Sequence, residues 1–457
     1  MSCDALRNAR ALQRGRGRKR VSASTVSTKV EDEGLFKRFL RATEIDSRVV
    51  GMVIALAFIW IGFHLAGPFF TGQALFLTPR NLWNLLTQTA SISVMASGMV
   101  LIIVMRQIDL SVGSILGFIA VVMAWLQVYG LPQYFEFGSP WIWILATMAG
   151  LIIGALIGFI QGTVIAYSGI PSFIVTLGGL LFWRGAAFKV ASGETIAPLD
   201  PVYSLIGGGP YGSIGSFWSW VVGLIACAAI IWGLNNSRNQ RKRFHFPLRP
   251  VWAEMTVGAI LCTAVIATVY LVNIYYWPKG IVKEYAAAHN ITTPPEEIFI
   301  SHGFAAPVLI ALAVGIVMTF VATRTKLGRY IYAIGGNPEA AELAGINTKK
   351  ITIATFTIMG VLCAISAIIA TARLNAAAIA LGTTDELYVI AAAVIGGTSL
   401  SGGTGTVFGA FFGALIMQSI QTGMTLLGFD TPVLNMTLGV VLGFAVWLDY
   451  IYRKSAK

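Results

Sequence analysis

Apolar runs of about 20 residues recur along almost the whole chain, at 50–67, 82–105, 111–129, 141–167, 173–190, 217–234, 251–273, 304–323, 351–372, 404–427 and 433–451. At a rise of about 1.5 Å per residue, a helix of that length crosses the ~30 Å hydrocarbon core of a bilayer. A twelfth run, 387–400, is short and reads as a crossing or a half-crossing. The expected fold class is therefore all-α, a polytopic membrane bundle of about 12 transmembrane segments. The polar positions divide the chain as sharply: a basic tail over 1–45, a transmembrane domain over 46–457, and within it a polar loop at 235–250 and a polar island at 324–350.

That island predicts a small helix outside the bilayer. Asn337 is a good N-cap, Pro338 suits the first helical position, Glu339 complements the positive end of the helix dipole, and Gly345 can take the left-handed turn that stops the helix. Two turns are too short to stand alone in water, so the helix makes sense if a partner docks on it. The small face of Ala340, Ala341 and Ala344 around Leu343 is the surface expected to enter a partner's groove.

Composition supports the membrane reading: 56% of residues are hydrophobic and only 11% are charged, against about 25% charged in soluble domains. The net charge of +12 then becomes a topology signal, because cytoplasmic loops are rich in Lys and Arg. Arg14, Arg16, Arg18, Lys19, Arg20, Lys37, Arg38 and Arg41 place the tail inside, and the same bias places the Arg238 to Arg249 loop, the island and the C-terminal residues there too. Both termini are expected in the cytoplasm. The basic run near the N-terminus is not expected to bind nucleic acid, and the tail up to about residue 43 is expected to be disordered, with no cleavable signal peptide before the first span. Cys3, Cys227, Cys262 and Cys363 lie too far apart to suggest a disulfide framework or a metal site.

Glycine is 49 of the residues, and its spacing decides its use. Gly150, Gly154, Gly158 and Gly162 form one stripe on a helix, as do Gly405, Gly409 and Gly413, and such stripes let neighbouring helices approach closely. Polar residues inside apolar runs are the candidates for a translocation path: Gln88, Ser91, Asp109, Ser111, Asn375 and Gln418. Asp109 must face protein or water, since a carboxylate at mid-helix in lipid costs about 2.5 to 3.5 kcal/mol. Arg106, three residues away, is placed to pair with it. A local ion pair closing a turn is the alternative role for Asp109, and helix-to-helix hydrogen bonding is the alternative for Gln88, Ser91, Asn375 and Gln418.

Catalytic machinery is not apparent. No phosphate loop, nucleophile elbow or His-Glu-x-x-His spacing occurs, so no catalytic residue, cofactor or metal is expected. The run Leu400-Ser401-Gly402-Gly403 spells the core of an ATPase signature, but it lies between apolar spans and reads as a Gly-rich turn, buried or lining a wet cavity.

Three stretches carry a family likeness: 108–114 (Ile-Asp-Leu-Ser-Val-Gly-Ser), the island from Gly328 to Ile346, and the turn from Gly396 to Gly403. Together they resemble the permease subunits of ribose/xylose-type ABC importers, most like the xylose-type branch. Glu339, Ala340, Ala341 and Gly345 also resemble the Glu-Ala-Ala loop of binding-protein-dependent permeases, although its Leu-Pro ending is missing. The resemblance implies a ten-span core plus an inserted pair around 235–250, in an inner-membrane protein importing D-xylose or a related monosaccharide. It also implies that Asn337, Pro338, Glu339, Ala340, Ala341, Leu343 and Gly345 form a coupling helix. That helix would sit on a separate cytosolic ATPase, in a permease homodimer fed by an extracytoplasmic sugar-binding protein. An ion-coupled secondary transporter is the other class kept open, and it would want buried carboxylates and broken helices.

Overall fold

The computed structural model describes residues 42–44, 47–291 and 293–456. The tail up to residue 41 lies outside the described residues, and with it the expectation of disorder there. The elements are α1 (Ser47–Thr71), α2 (Pro79–Val104), α3 (Val112–Trp125), α4 (Pro140–Ser168), α5 (Ser172–Ala191), α6 (Pro201–Ser204), α7 (Gly215–Arg243) and α8 (Val251–Ile274). They continue with α9 (Lys279–Ala288), α10 (Ala306–Arg324), α11 (Lys326–Gly336), α12 (Pro338–Leu343), α13 (Thr348–Leu374), α14 (Asp385–Ile395), α15 (Val407–Leu426) and α16 (Thr431–Ala456). Among the described residues the only β pairing is three isolated bridges. Among the described residues ten helices are long and apolar enough to cross a membrane, and a shorter apolar stretch, Thr431–Phe444, begins α16. The all-α polytopic bundle expected from the apolar runs is the fold found.

α2 is the axis of the bundle. It packs against α10, α13, α14 and α15, and from Val94 to Val104 every side chain is buried. The most extensive helix pair is α4 on α13, and glycine lines its contact. A Cβ on Gly154 would run into the Gly360 carbonyl, one on Gly158 into the Phe356 carbonyl, and one on Gly360 into the Gly154 carbonyl. The stripe read from the sequence is thus a seam where two backbones touch, the geometry that compensates in lipid for a missing hydrophobic drive between helices.

The short twelfth run forms a broken crossing. From Asn375, whose side chain accepts from the Leu199 amide at 3.0 Å, the chain descends without helix to Asp385. α14 then runs eleven residues, about 16 Å, roughly half the hydrocarbon thickness. The turn after it reaches the other end of the bundle, where the Gly403 amide donates to the Val104 carbonyl at 3.0 Å. Non-helical backbone on either side of α14 is tolerated because protein surrounds it: Ala377 before the helix and Thr398 and Ser399 after it are fully enclosed.

The pair α7 and α8 packs side by side on the rim and touches the bundle through α2. At the end of α8 the Trp83 indole donates to the Gly303 carbonyl at 2.9 Å, and Tyr275 stacks on His302 with ring centroids 4.2 Å apart. At the opposite end Glu44 pairs with Arg241 at 2.6 Å and with Arg249 at 2.9 Å. The two guanidiniums hold the Glu44 carboxyl at about 2, down from 4.5. A lowered carboxylate pKa means that the clasp is intact above about pH 4.5 and is lost only as the pH falls towards about 2.

Candidate functional site

The island folds as its caps require. The Asn337 side chain accepts from the Ala340 amide at 3.0 Å, Pro338 opens α12, and Gly345 sits at φ +83° with its amide on the Glu342 carbonyl. What the local sequence left undetermined is the direction each side chain takes. Ala341 is turned inward and buried, so it supports the helix and does not belong to the presented face. Glu339, Ala340, Glu342 and Ala344 are exposed, and Leu343 is 91% exposed, an apolar side chain held out by a helix that packs on α11 and α13.

Behind α12 lies a junction of three segments. Arg106, at φ +63°, donates through Nε to the Gly335 carbonyl at 2.8 Å and through Nη2 to the Gly336 carbonyl at 2.7 Å. The expected Arg106–Asp109 pairing therefore does not form: it assumed helical spacing, whereas the chain leaves α2 in a left-handed residue and runs on without helix over 107–110. The Tyr332 hydroxyl donates to the Gly405 carbonyl at 2.6 Å, which ties α11 to the Gly-rich turn. These bonds join α11 to the end of α2 and to the turn that follows α14.

Asp109 instead accepts from the Ser111 amide at 2.8 Å and from its hydroxyl, and Gln161 of α4 donates to Ser111 Oγ at 3.1 Å. The segment is held by α5, where Thr176 Oγ1 accepts from the Leu110 amide and Ser172 Oγ from the Ile108 amide, each at 3.1 Å. Asp109 and Ser111 are almost completely enclosed. Beside them lies a residue that sequence reasoning missed. Glu386, in the first turn of α14, puts its carboxylate against Gly113 at the start of α3, and its buried Oε2 has no hydrogen-bond partner. Next to it Arg184 of α5 donates to the carbonyls of Leu381 and Gly382 at 3.0 Å, which fixes the descending segment. Glu386 stands directly before the apolar run at 387, a position where a carboxylate ordinarily marks the wet end of a span, so the sequence alone does not single it out.

The remaining candidates lie apart from this group. Gln418 donates to Gln88 Oε1 at 3.0 Å between α15 and α2, and Ser91 meets Ser366 at 2.6 Å between α2 and α13. Asn375 caps the far end of α13 at φ +50°. A groove of about 480 Å3 opens between α2, α10 and α15, lined by groups such as Ala90, Ala311, Gly315, Phe411 and Phe412. That lining is too apolar to hold a polyhydroxylated solute.

The profile of a family described as the permease component of branched-chain amino acid transport systems matches residues 81–239 and 250–446, with its break in the basic turn between α7 and α8. The xylose transport system permease protein of Haemophilus influenzae is 35% identical over 416 residues, covering 90% of this chain and 98% of that protein. Its Escherichia coli counterpart is also 35% identical, over 90% of this chain and 94% of its own length. The ribose import permease protein of Escherichia coli is 30% identical over 82% of this chain and 87% of its own length. No solved structure matches significantly.

Proposed function

This chain belongs to the transport-system permease family in which the xylose and ribose permeases fall, and from that premise we propose that it forms the membrane path of an ATP-driven importer of D-xylose or a related pentose. The observation that carries the reading is the 35% identity to xylose permeases, sustained over 90% of the chain. The geometry supports it at one end of the bundle, where α12 offers Leu343 to a partner and is wired through Arg106, Tyr332 and Gly403 to α2 and α14. The partner at α12 is a cytosolic ATPase, a sugar-binding protein delivers substrate at the opposite end, and two copies of the chain make the path.

Proteoliposomes holding the permease and its ATPase should take up labelled xylose only when ATP is inside and the binding protein is outside. Uptake driven by a proton or sodium gradient without ATP would replace this reading with ion coupling, which the buried carboxylates Asp109 and Glu386 would then serve. The proposed sidedness puts both termini, the α7–α8 turn and α12 in the cytoplasm. Single cysteines at Asn239 and Asn347 should resist an impermeant thiol reagent in intact cells, and one at Ser213 should react. Labelling of Asn239 or Asn347 from outside would reverse the orientation.

A further inference from the structure

We propose that the turn joining α7 and α8 is a binding site for an anionic phospholipid, its phosphate lying among Lys242, Arg243 and Arg249 and its acyl chains along the outer flank of the helix pair. Five cations crowd this turn, Arg238, Arg241, Lys242, Arg243 and Arg249, and among the described residues two carboxylates reach them. Glu254 pairs with Arg238, and Glu44 with Arg241 and Arg249. The turn therefore keeps a local positive excess. Lys242 and Arg243 are exposed, and Arg249 has a buried Nε with no hydrogen-bond partner although its Nη2 is engaged by Glu44.

Three further features favour a lipid over a soluble anion. The turn closes two helices long and apolar enough to cross the membrane, so its cations sit at headgroup height. Phe244 and Phe246 are more than half exposed at the same level, as interfacial aromatics are. Below them Ile231, Trp232 and Met255 are each at least 60% exposed, an apolar wall suited to acyl chains. The family profile breaks at this turn, at 240–249, so Lys242, Arg243 and Arg249 lie outside the residues that the family match covers. The proposal does not depend on which solute is carried.

The test is native mass spectrometry of the full chain released from vesicles of phosphatidylcholine with about 30 mol% phosphatidylglycerol, beside vesicles of phosphatidylcholine alone and a titration with inorganic phosphate. The wild type should retain phosphatidylglycerol in preference to phosphatidylcholine. Lys242→Ala with Arg243→Ala should weaken that retention about thirty-fold, from about 1 kcal/mol per basic residue. Glu44→Gln, which releases Arg241 and Arg249, should strengthen it about fivefold on the same scale. Opposite responses of the two variants cannot come from a general loss of folding. The proposal is overturned if the double variant keeps phosphatidylglycerol as the wild type does, or if Glu44→Gln leaves retention unchanged. It is equally overturned if inorganic phosphate alone displaces the lipid at millimolar concentration.

Discussion

Gly360→Val should leave almost no folded protein to recover from the membrane. The valine Cβ would be driven into the Gly154 carbonyl and towards the Gly158 amide, both backbone groups on a facing helix that cannot swing aside as a side chain can. Prising apart a packed seam costs about 3 kcal/mol. Here the seam joins α4 to α13, and α13 also supports α2 and α3. The comparison is Gly178→Val on α5, where nothing lies within 4 Å of the added carbon and the yield should be normal. Fluorescence-detected gel filtration of the two variants in mild detergent reads the difference. Equal monodisperse peaks would mean that the α4–α13 seam has slack absent from its geometry.

Leu343→Asp should have the complementary effect, a normal amount of folded permease that no longer holds its ATPase. Leu343 is almost fully exposed on α12, so its own fold loses nothing with it. Burying a leucine in a partner's groove is worth about 1.5–3 kcal/mol, which corresponds to an association weaker by about ten- to a hundred-fold. Gly345→Val acts on the same contact indirectly, by forcing a β-branched residue to φ +83° and loosening the stop of the helix. Co-purification of the ATPase and ATP-driven uptake should fall together in both variants. Full ATPase recovery with Leu343→Asp would show that the partner grips another surface.

The two variants probe features of very different visibility in the sequence. The spans were legible because length and apolarity alone demand a membrane helix, and the caps of α12 because Asn337, Pro338 and Gly345 act within four residues of themselves. The facing of α12 was not legible. Whether Ala341 points in or out depends on where α11 leaves it, a matter of tertiary packing. Arg106 and Asp109 were read as neighbours on a helix that the chain does not continue past Val104, and no local signal announces a left-handed arginine. Glu386 was hidden for a related reason. Carboxylates at the edge of an apolar run normally mark its wet end, and only the contact with Gly113 on α3 shows that this edge lies within the bundle. The polar residues offered as path candidates scatter because each of Gln88, Ser91 and Gln418 answers to the helix opposite it, and the helix opposite is fixed by the whole fold.

The central place of α2 also bears on how the protein is made. Ser91 is translated 275 residues before Ser366, its hydrogen-bond partner, and at about 5–20 residues per second the interval is about 15 to 55 s. Gln88 waits longer still, since Gln418 follows it by 330 residues. For that time the most buried helix of the finished bundle stands with its polar groups unmatched in the bilayer, at a cost of several kcal/mol for each group facing lipid. The nascent chain should therefore linger beside the insertase until α13 emerges, and truncations ending before residue 366 should be cleared by membrane proteases much faster than those ending beyond residue 426.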